Sequence, residues 1–176
     1  MAADFKVLAI TPPAIFADEP RRIAELLSRD IWRVHLRHPE ASREELSAIL
    51  RVLPSDYRCR ISLHSHFSLI EEFPEIGQHL NHRCPTPAGA PGCLSRSCHS
   101  LAELAQCEGS DYVTLSPIYD SISKPGYRSQ FVIDQRLRQA LHGHRVMALG
   151  GVTPDKFAQL RSEGFAGAAM LGYLWR

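Results

Sequence analysis

The sequence predicts an α/β protein: a (β/α)8 TIM barrel, in a short version lacking the final helix, as a single domain over residues 1–176. Three observations lead to this fold class. There are eight short apolar runs that resemble strands, amphipathic segments lie between most of them, and the chain ends directly after the eighth. Strands that alternate with helices indicate a parallel sheet, and eight such units can close into a barrel. An open doubly wound sheet is the alternative, but no GxGxxG motif follows the first run.

The first half of the chain supplies four of the predicted strands. Helix 19–30 carries apolar residues at helical spacing after Asp18, a candidate cap, and helix 42–53 opens with a Ser42-x-x-Glu45 capping box. The other elements predicted here are the strands KVLAIT (6–11), WRVHLR (32–37), CRISLHS (59–65) and IGQHL (76–80), and the short helix FSLIEEF (67–73).

The second half repeats the pattern after a Pro/Gly-rich loop. Ser100 is placed to cap the helix that follows it, and Thr153 to cap another whose first helical position is Pro154. The elements predicted here are the strands CLSRSCH (93–99), DYVTLSPIY (111–119), RVMALGGV (145–152) and FAGAAMLGYLW (165–175), and the helices SLAELAQC (100–107), VIDQRLRQALHG (132–143) and TPDKFAQLRSEG (153–164).

Composition narrows the class of function. The hydrophobic fraction is 44% and the charged fraction 22%, as in ordinary globular proteins, and the net charge of +1 favours neither nucleic acid nor an anionic membrane. No apolar run approaches the roughly 18 residues of a membrane helix. Five cysteines without a CxxC motif predict reduced thiols. We therefore expect a cytoplasmic protein with no nucleic-acid or membrane partner, and a homo-oligomer stays open.

Glycines at the ends of the last two predicted strands indicate an anion site. Gly150 and Gly151 lie between a strand end and a helix start, and Gly172 follows the eighth strand. Backbone N–H groups there can approach an anion without a Cβ in the way, and barrels often bind phosphate after strands seven and eight. The alternative is that these glycines only form tight turns.

A polar loop follows the sixth predicted strand. Ser121, Ser123 and Lys124 offer two hydroxyl groups and a cation, which could close over an anion. Loops of this composition are also common as plain surface, so the prediction depends on the neighbouring phosphate site.

Polar residues on the second and third strands leave two interpretations open. His35 and Arg37 are two residues apart and share a strand face, where Arg37 holds either a substrate anion or a structural ion pair. Histidines recur at strand ends, and His64-x-His66 is a candidate metal pair. No carboxylate lies beside that pair, so we predict no metal, and expect hydrogen-bonded polar groups at a pocket mouth. The histidines in question are His35, His64, His66, His79 and His99.

Several stretches together resemble the thiamine phosphate synthase and thiazole tautomerase family. They are RVHLRHP, RSCHSLAEL, DYVTLSPIYDSISK, VMALGGVTPDKF and GAAMLG. The resemblance implies a β/α barrel and a phosphorylated thiazole as small-molecule substrate. In the synthases a pyrimidine diphosphate joins thiazole phosphate with Mg²⁺ and releases pyrophosphate. In the tautomerases a histidine moves a proton on a carboxythiazole phosphate, and no metal is required.

The resemblance also assigns residues. It places the loop hydroxyls and lysine at Ser121, Ser123 and Lys124. It places the phosphate-holding backbone at Gly150, Gly151, Leu171 and Gly172, and the polar residues of strands two and three at His35, Arg37, His64 and Ser65. Where the synthases carry metal-binding aspartates, this chain has His64–Ser65 and the segment 81–85, without a carboxylate.

These losses favour a metal-independent tautomerase. Mg²⁺ on a diphosphate prefers carboxylate oxygens, whereas a proton shift needs one group with a pKa near neutrality. We therefore predict His99 as general acid and base, with Arg37 or His35 orienting the substrate. Cys98 should face the other side of the strand, in the core. A thiamine phosphate synthase using Mg²⁺ and a non-catalytic thiazole or thiamine phosphate binder are the alternatives.

Overall fold

The computed structural model describes residues 4–120 and 128–175. Its eight strands follow one another in sheet order from β1 to β8, the order of a closed barrel, which confirms the predicted fold class. The strands are β1 (Lys6–Ile10), β2 (Arg33–Leu36), β3 (Ile61–Leu63), β4 (Gly77–Leu80), β5 (Leu94–Cys98), β6 (Tyr112–Leu115), β7 (Val146–Leu149) and β8 (Gly167–Met170). Each predicted strand is present, and each is shorter than its predicted range.

The helices are short. They are α1 (Glu19–Leu27), α2 (Arg43–Val52), α3 (Ser55–Arg58), α4 (Leu101–Leu104), α5 (Gln135–Leu141) and α6 (Phe157–Ser162), with 3₁₀ turns at Phe67–Glu71 and Pro154–Lys156. Within the described residues, none of these helices has the length and apolar character needed to cross a membrane.

The chain divides into two compact units, of which one is Ala9–Leu94. Strands β2, β3 and β4 pair in parallel there, with His35 opposite Ser62 and Ser62 opposite Gly77. The predicted capping box of α2 is confirmed, because the Ser42 side chain accepts from the Glu45 backbone N–H and the Glu45 carboxylate accepts from Ser42. The predicted Asp18 cap is wrong.

Asp18 fails as a cap for a conformational reason. It adopts a left-handed backbone with φ of 60°, and its side chain accepts no hydrogen bond from α1. Capping side chains normally act from an extended backbone, as Ser42 does here. The start of α1 is held instead by Glu19, whose backbone N–H donates to the Phe16 carbonyl.

The second unit joins the residues up to Leu8 to those from Ser95 onward. Strands β5 to β8 pair in parallel, and the buried apolar faces of α4, α5 and α6 cover them. Ser100 caps α4 as predicted, by accepting from the Glu103 N–H, although α4 ends after one turn. Helix α5 begins later than predicted because Asp134 caps it by accepting from the Leu137 N–H. Pro154 follows Thr153 at the start of its 3₁₀ turn, but the Thr153 side chain makes no capping bond there.

Candidate functional site

His99 lies exposed at the carboxyl end of β5, directly before the cap of α4. Its ring Nδ1 is 3.3 Å from the Ser116 carbonyl oxygen and 3.3 Å from the Ser116 hydroxyl, at the end of the neighbouring strand β6. One of these partners is an acceptor and the other can donate, so Nδ1 is satisfied whether or not it carries the proton. The ring can therefore present Nε2 as either base or acid.

Cys98 faces away from His99, as predicted. It is fully buried, and its Sγ lies 3.1 Å from Sγ of Cys107 in the core beneath α4. Burial, with the neighbouring Cys107 thiol, raises the pKa of the Cys98 thiol far above its usual value. Cys98 is thus a core thiol and no nucleophilic partner of His99.

The double glycine after β7 packs against the turn that follows β6. Gly150 and Gly151 have φ of 96° and 61°, in the left-handed region. A Cβ on Gly150 would lie 2.9 Å from Pro117 Cα, and one on Gly151 would lie 2.1 Å from the Asp120 carbonyl oxygen. Close packing therefore requires both glycines, independently of any bound anion. Leu171 and Gly172 lie half-buried after β8, the strand paired with β7.

Replacing Gly151 should lower the free energy of unfolding more than replacing a glycine that is required only for its positive φ. Gly109, with φ of 76°, has no atom within 4 Å of an added Cβ, so Gly109→Ala should lose about 1 kcal/mol from left-handed strain alone. Gly151→Ala adds the collision with the Asp120 carbonyl, which we expect to cost about 1–3 kcal/mol more. Urea unfolding of the two variants measures the difference, and equal losses would refute the packing role.

An open cavity of about 550 Å³ adjoins Gly151. The turns after β6 and β7 line it, and Lys156, the one lysine among its described lining residues, places Nζ 4.7 Å from the centre of the Tyr119 ring. Lys156 is a cation that the sequence prediction missed, although it lies in the predicted phosphate segment TPDKF. The predicted loop residues Ser121, Ser123 and Lys124 lie outside the described residues.

Three histidines meet on one face of the β2–β3–β4 sheet. Nδ1 of His35 is 2.9 Å from Nε2 of His64, and the ring of His79 lies with its centre 4.4 Å from that of His64 and 4.7 Å from that of His35. The candidate pair His64-x-His66 is not brought together. His66 lies outside the cluster, exposed, with Nε2 2.9 Å from the Ala41 carbonyl oxygen.

Burial keeps His35 and His64, two members of this cluster, uncharged. Loss of hydration lowers the pKa of both His35 and His64 well below the usual value, and electrostatic repulsion from His79 lowers it further. The Arg33 guanidinium adds to the effect on His35, and Arg37 adds to that on His64. Both imidazoles are consequently neutral at pH 7.

The depressed pKa values predict acid sensitivity. Between the folded pKa and about 6.5, the unfolded chain binds more protons than the folded chain, so stability is complete above about pH 6.5 and falls as the pH drops below it. For His35 and His64 together we expect a loss of about 1–3 kcal/mol between pH 7.5 and 5.5. Urea unfolding in chelator at both pH values measures it. His35→Gln should show a smaller loss and His66→Gln the full one, and identical losses in all three proteins would contradict the assignment.

The donors at the ends of β3 and β4 do not fit the magnesium site implied by the family resemblance. Mg²⁺ is held by carboxylate and carbonyl oxygens or water, whereas His64 and His79 offer imidazole nitrogens. The Asn81 side-chain oxygen accepts from the backbone N–H groups of Arg83 and Cys84, and its Nδ2 donates to the His64 and His79 carbonyls. Asn81 thus stabilises the loop rather than presenting oxygen to an ion.

Arg37 is half-buried directly after β2. Its backbone N–H donates to the Thr11 hydroxyl at 2.9 Å, and the β2–β3 register continues to His64. The structure therefore places Arg37 beside the histidine cluster, within the unit Ala9–Leu94.

Comparison with known proteins identifies relatives along nearly the whole chain. Residues 7–174 match the family model described as thiamine monophosphate synthase. A solved thiamine phosphate pyrophosphorylase from Bacteroides thetaiotaomicron is 36% identical, with a TM-score of 0.83 over 97% of this chain and 85% of that one. A relative from Aquifex aeolicus, provisionally named thiamine-phosphate synthase 2, is 25% identical over 84% of each chain. A thiamine phosphate pyrophosphorylase from Pyrococcus furiosus, 19% identical with a TM-score of 0.73 over 95% of this chain and 85% of that one, shares the fold.

Proposed function

The chain belongs to the thiamine monophosphate synthase family, and within it we propose that this protein transfers a proton on a thiazole phosphate, as a tautomerase does, with His99 as general acid and base. The observation that carries the proposal is the setting of His99. The ring is exposed at the carboxyl end of β5, and Ser116 offers Nδ1 both an acceptor and a hydroxyl donor.

A proton shift needs one group that removes a proton at one position and returns it at another. With Nδ1–H donating to the Ser116 carbonyl, Nε2 is a base, and with the Ser116 hydroxyl donating to Nδ1, Nε2–H is an acid. Among residues 4–120 and 128–175, none has a hydrogen bond to Nε2 in the structure. Nε2 is therefore the atom that would face the substrate ring.

The phosphate of this substrate would bind at the turns after β7 and β8. Strands lie about 4.8 Å apart, so the ends of β5 and β7 are about 10 Å apart along the sheet edge. A thiazole ring with a phosphorylated side chain spans a comparable length. Gly150 and Gly151 offer backbone N–H groups, and Lys156 offers a cation beside them. The barrel edge at the carboxyl ends of the strands is where such enzymes place chemistry.

Thiamine phosphate synthesis is the second candidate, favoured by the names of the relatives, including the 36% identical pyrophosphorylase. Release of pyrophosphate requires stabilisation of several negative charges, which Mg²⁺ normally provides. The imidazole nitrogens and the occupied Asn81 amide do not supply a magnesium site. For this reason we place proton transfer first.

Two parallel assays test the proposal. In the first, carboxythiazole phosphate is incubated with the protein in D₂O and chelator, and NMR follows deuterium incorporation and formation of the aromatic ring. In the second, the pyrimidine diphosphate and thiazole phosphate are supplied with Mg²⁺, and released pyrophosphate is measured. We expect turnover in the first only. Pyrophosphate release alone would establish the synthase, and tight binding without either turnover would establish a phosphate-binding protein.

A further inference from the structure

The positions of His35, His64 and His79 follow from strand register. Side chains alternate across a strand, and His35 pairs with Ser62, which pairs with Gly77. Two residues further along, His64 therefore stands beside His79 on the same face as His35. Three adjacent strands thus bring three imidazoles to one place, two of them fully buried.

The spacing of their nitrogen atoms is that of a metal site. One nitrogen from each ring can be chosen so that all three lie within 4.8 Å of one another, and the closest pair is 2.9 Å apart. A tetrahedral zinc ion with Zn–N bonds of 2.0–2.1 Å holds its nitrogen ligands about 3.3 Å apart. To share one ion, the closest pair must move slightly apart and nitrogens as far apart as 4.8 Å must move together.

From this geometry we propose that His35, His64 and His79 bind a transition-metal ion of the zinc class. Imidazole suits Zn²⁺, Co²⁺, Ni²⁺ and Cu²⁺, whereas Mg²⁺ prefers oxygen, so the site selects a different metal from the magnesium of the synthases. A zinc site with three protein ligands keeps its fourth position for water or another small ligand. The inference goes beyond the proposed proton transfer, which uses His99 of the other unit.

Without a metal, the same residues form a group of packed imidazoles, two of which share the His35–His64 hydrogen bond. The two arrangements differ in a measurable way. A metal ion replaces that hydrogen bond with two metal–nitrogen bonds and adds a third to His79, so binding must depend on all three histidines.

Titration of the chelator-treated full chain with Co²⁺ and Zn²⁺ tests the proposal. We expect one equivalent of Co²⁺ to bind with the intense visible absorption of a four-coordinate ion and without a thiolate charge-transfer band. Zn²⁺ should displace it and raise the melting temperature. His64→Gln and His79→Gln should each weaken binding at least about 100-fold, since loss of a ligand exceeds loss of an outer hydrogen bond. His66→Gln, the matched control outside the cluster, should bind as the unaltered protein does.

The His64→Cys variant distinguishes the loss of a metal ligand from a failure to fold. His64 is only half-buried, and exchanging its nitrogen for sulfur should retain the metal and create a thiolate-to-cobalt band that the unaltered protein lacks. The proposal is overturned if the unaltered protein binds no stoichiometric metal, if its own cobalt complex shows thiolate bands, or if His64→Gln and His79→Gln bind as tightly as His66→Gln. Because the proton-transfer assay is run in chelator, it fails or succeeds independently.

Discussion

Replacing His99 by asparagine should reduce tautomerisation of carboxythiazole phosphate by about 10²- to 10⁴-fold, the usual contribution of one positioned general acid–base group. Asparagine keeps a polar side chain that can still contact Ser116, but it cannot exchange a proton near neutral pH. Since His99 is exposed, the loss should be kinetic rather than structural. Deuterium incorporation and appearance of the aromatic ring, both followed by NMR, measure it.

Binding separates this chemical role from a role in holding substrate. Calorimetric titration of His99→Asn with the aromatic product should give an affinity within about 3-fold of the unaltered protein, because we propose that the phosphate binds at the β7 and β8 turns instead. His142→Asn, which alters an exposed histidine at the end of α5, should leave both rate and affinity unchanged. A His99→Asn protein of normal rate would eliminate His99 as the proton carrier.

Replacing Ser116 should affect the same reaction more weakly than replacing His99 does. Ser116→Ala removes the hydroxyl but leaves the backbone carbonyl, so only the acid form of the His99 ring loses its partner at Nδ1. Its effect should be smaller than that of His99→Asn and should appear chiefly in the pH profile. Equal effects would indicate that Ser116 acts by holding the loop, without influencing the tautomer.

Local signals in the sequence predict most of the fold because each depends on neighbouring residues. The Ser42–Glu45 capping box and the Ser100 cap act within four residues, so their spacing is legible in one dimension. The packing of Cys98 in the core beneath α4, on the opposite side of the strand from His99, follows from the alternation of side chains along one strand. Helix α3 was missed because its four residues are too few to show helical periodicity.

The histidine cluster could be predicted only in part, because its members are far apart in the sequence. Each histidine lies near a strand end, which the sequence shows, but their meeting depends on the register between three separate strands. That register is set by the hydrogen-bond ladder and the packing of the helices, and no short stretch encodes it. The pair His64-x-His66 looked closer in sequence, yet His66 adopts a left-handed backbone with φ of 52° and leaves the strand.

The Glu19–His38 pair is a buried contact with a large expected effect on stability. Glu19 Oε1 lies 2.8 Å from His38 Nε2, and the side chains are 0% and 1% exposed. The pair ties the first residue of α1 to the end of β2. Removing one member of a buried pair leaves the other without its partner in an environment that water cannot reach, which typically costs 3–5 kcal/mol. We therefore expect Glu19→Ala to lose about 3–5 kcal/mol in urea unfolding.

Glu25 provides the matched control on the same helix. It pairs with Arg21 and Arg22 at the surface, where such contacts contribute about 0.2–1 kcal/mol, so Glu25→Ala should change stability by no more than that. The double variant Glu19→Ala/His38→Ala should lose less than the sum of the two single variants, since the second change removes a group already deprived of its partner. Strict additivity, or a Glu19→Ala loss as small as that of Glu25→Ala, would show that the helix is anchored by its apolar face alone. The large loss is expected because both side chains are buried. It would remove a large part of the 5–15 kcal/mol by which folded domains are typically stable.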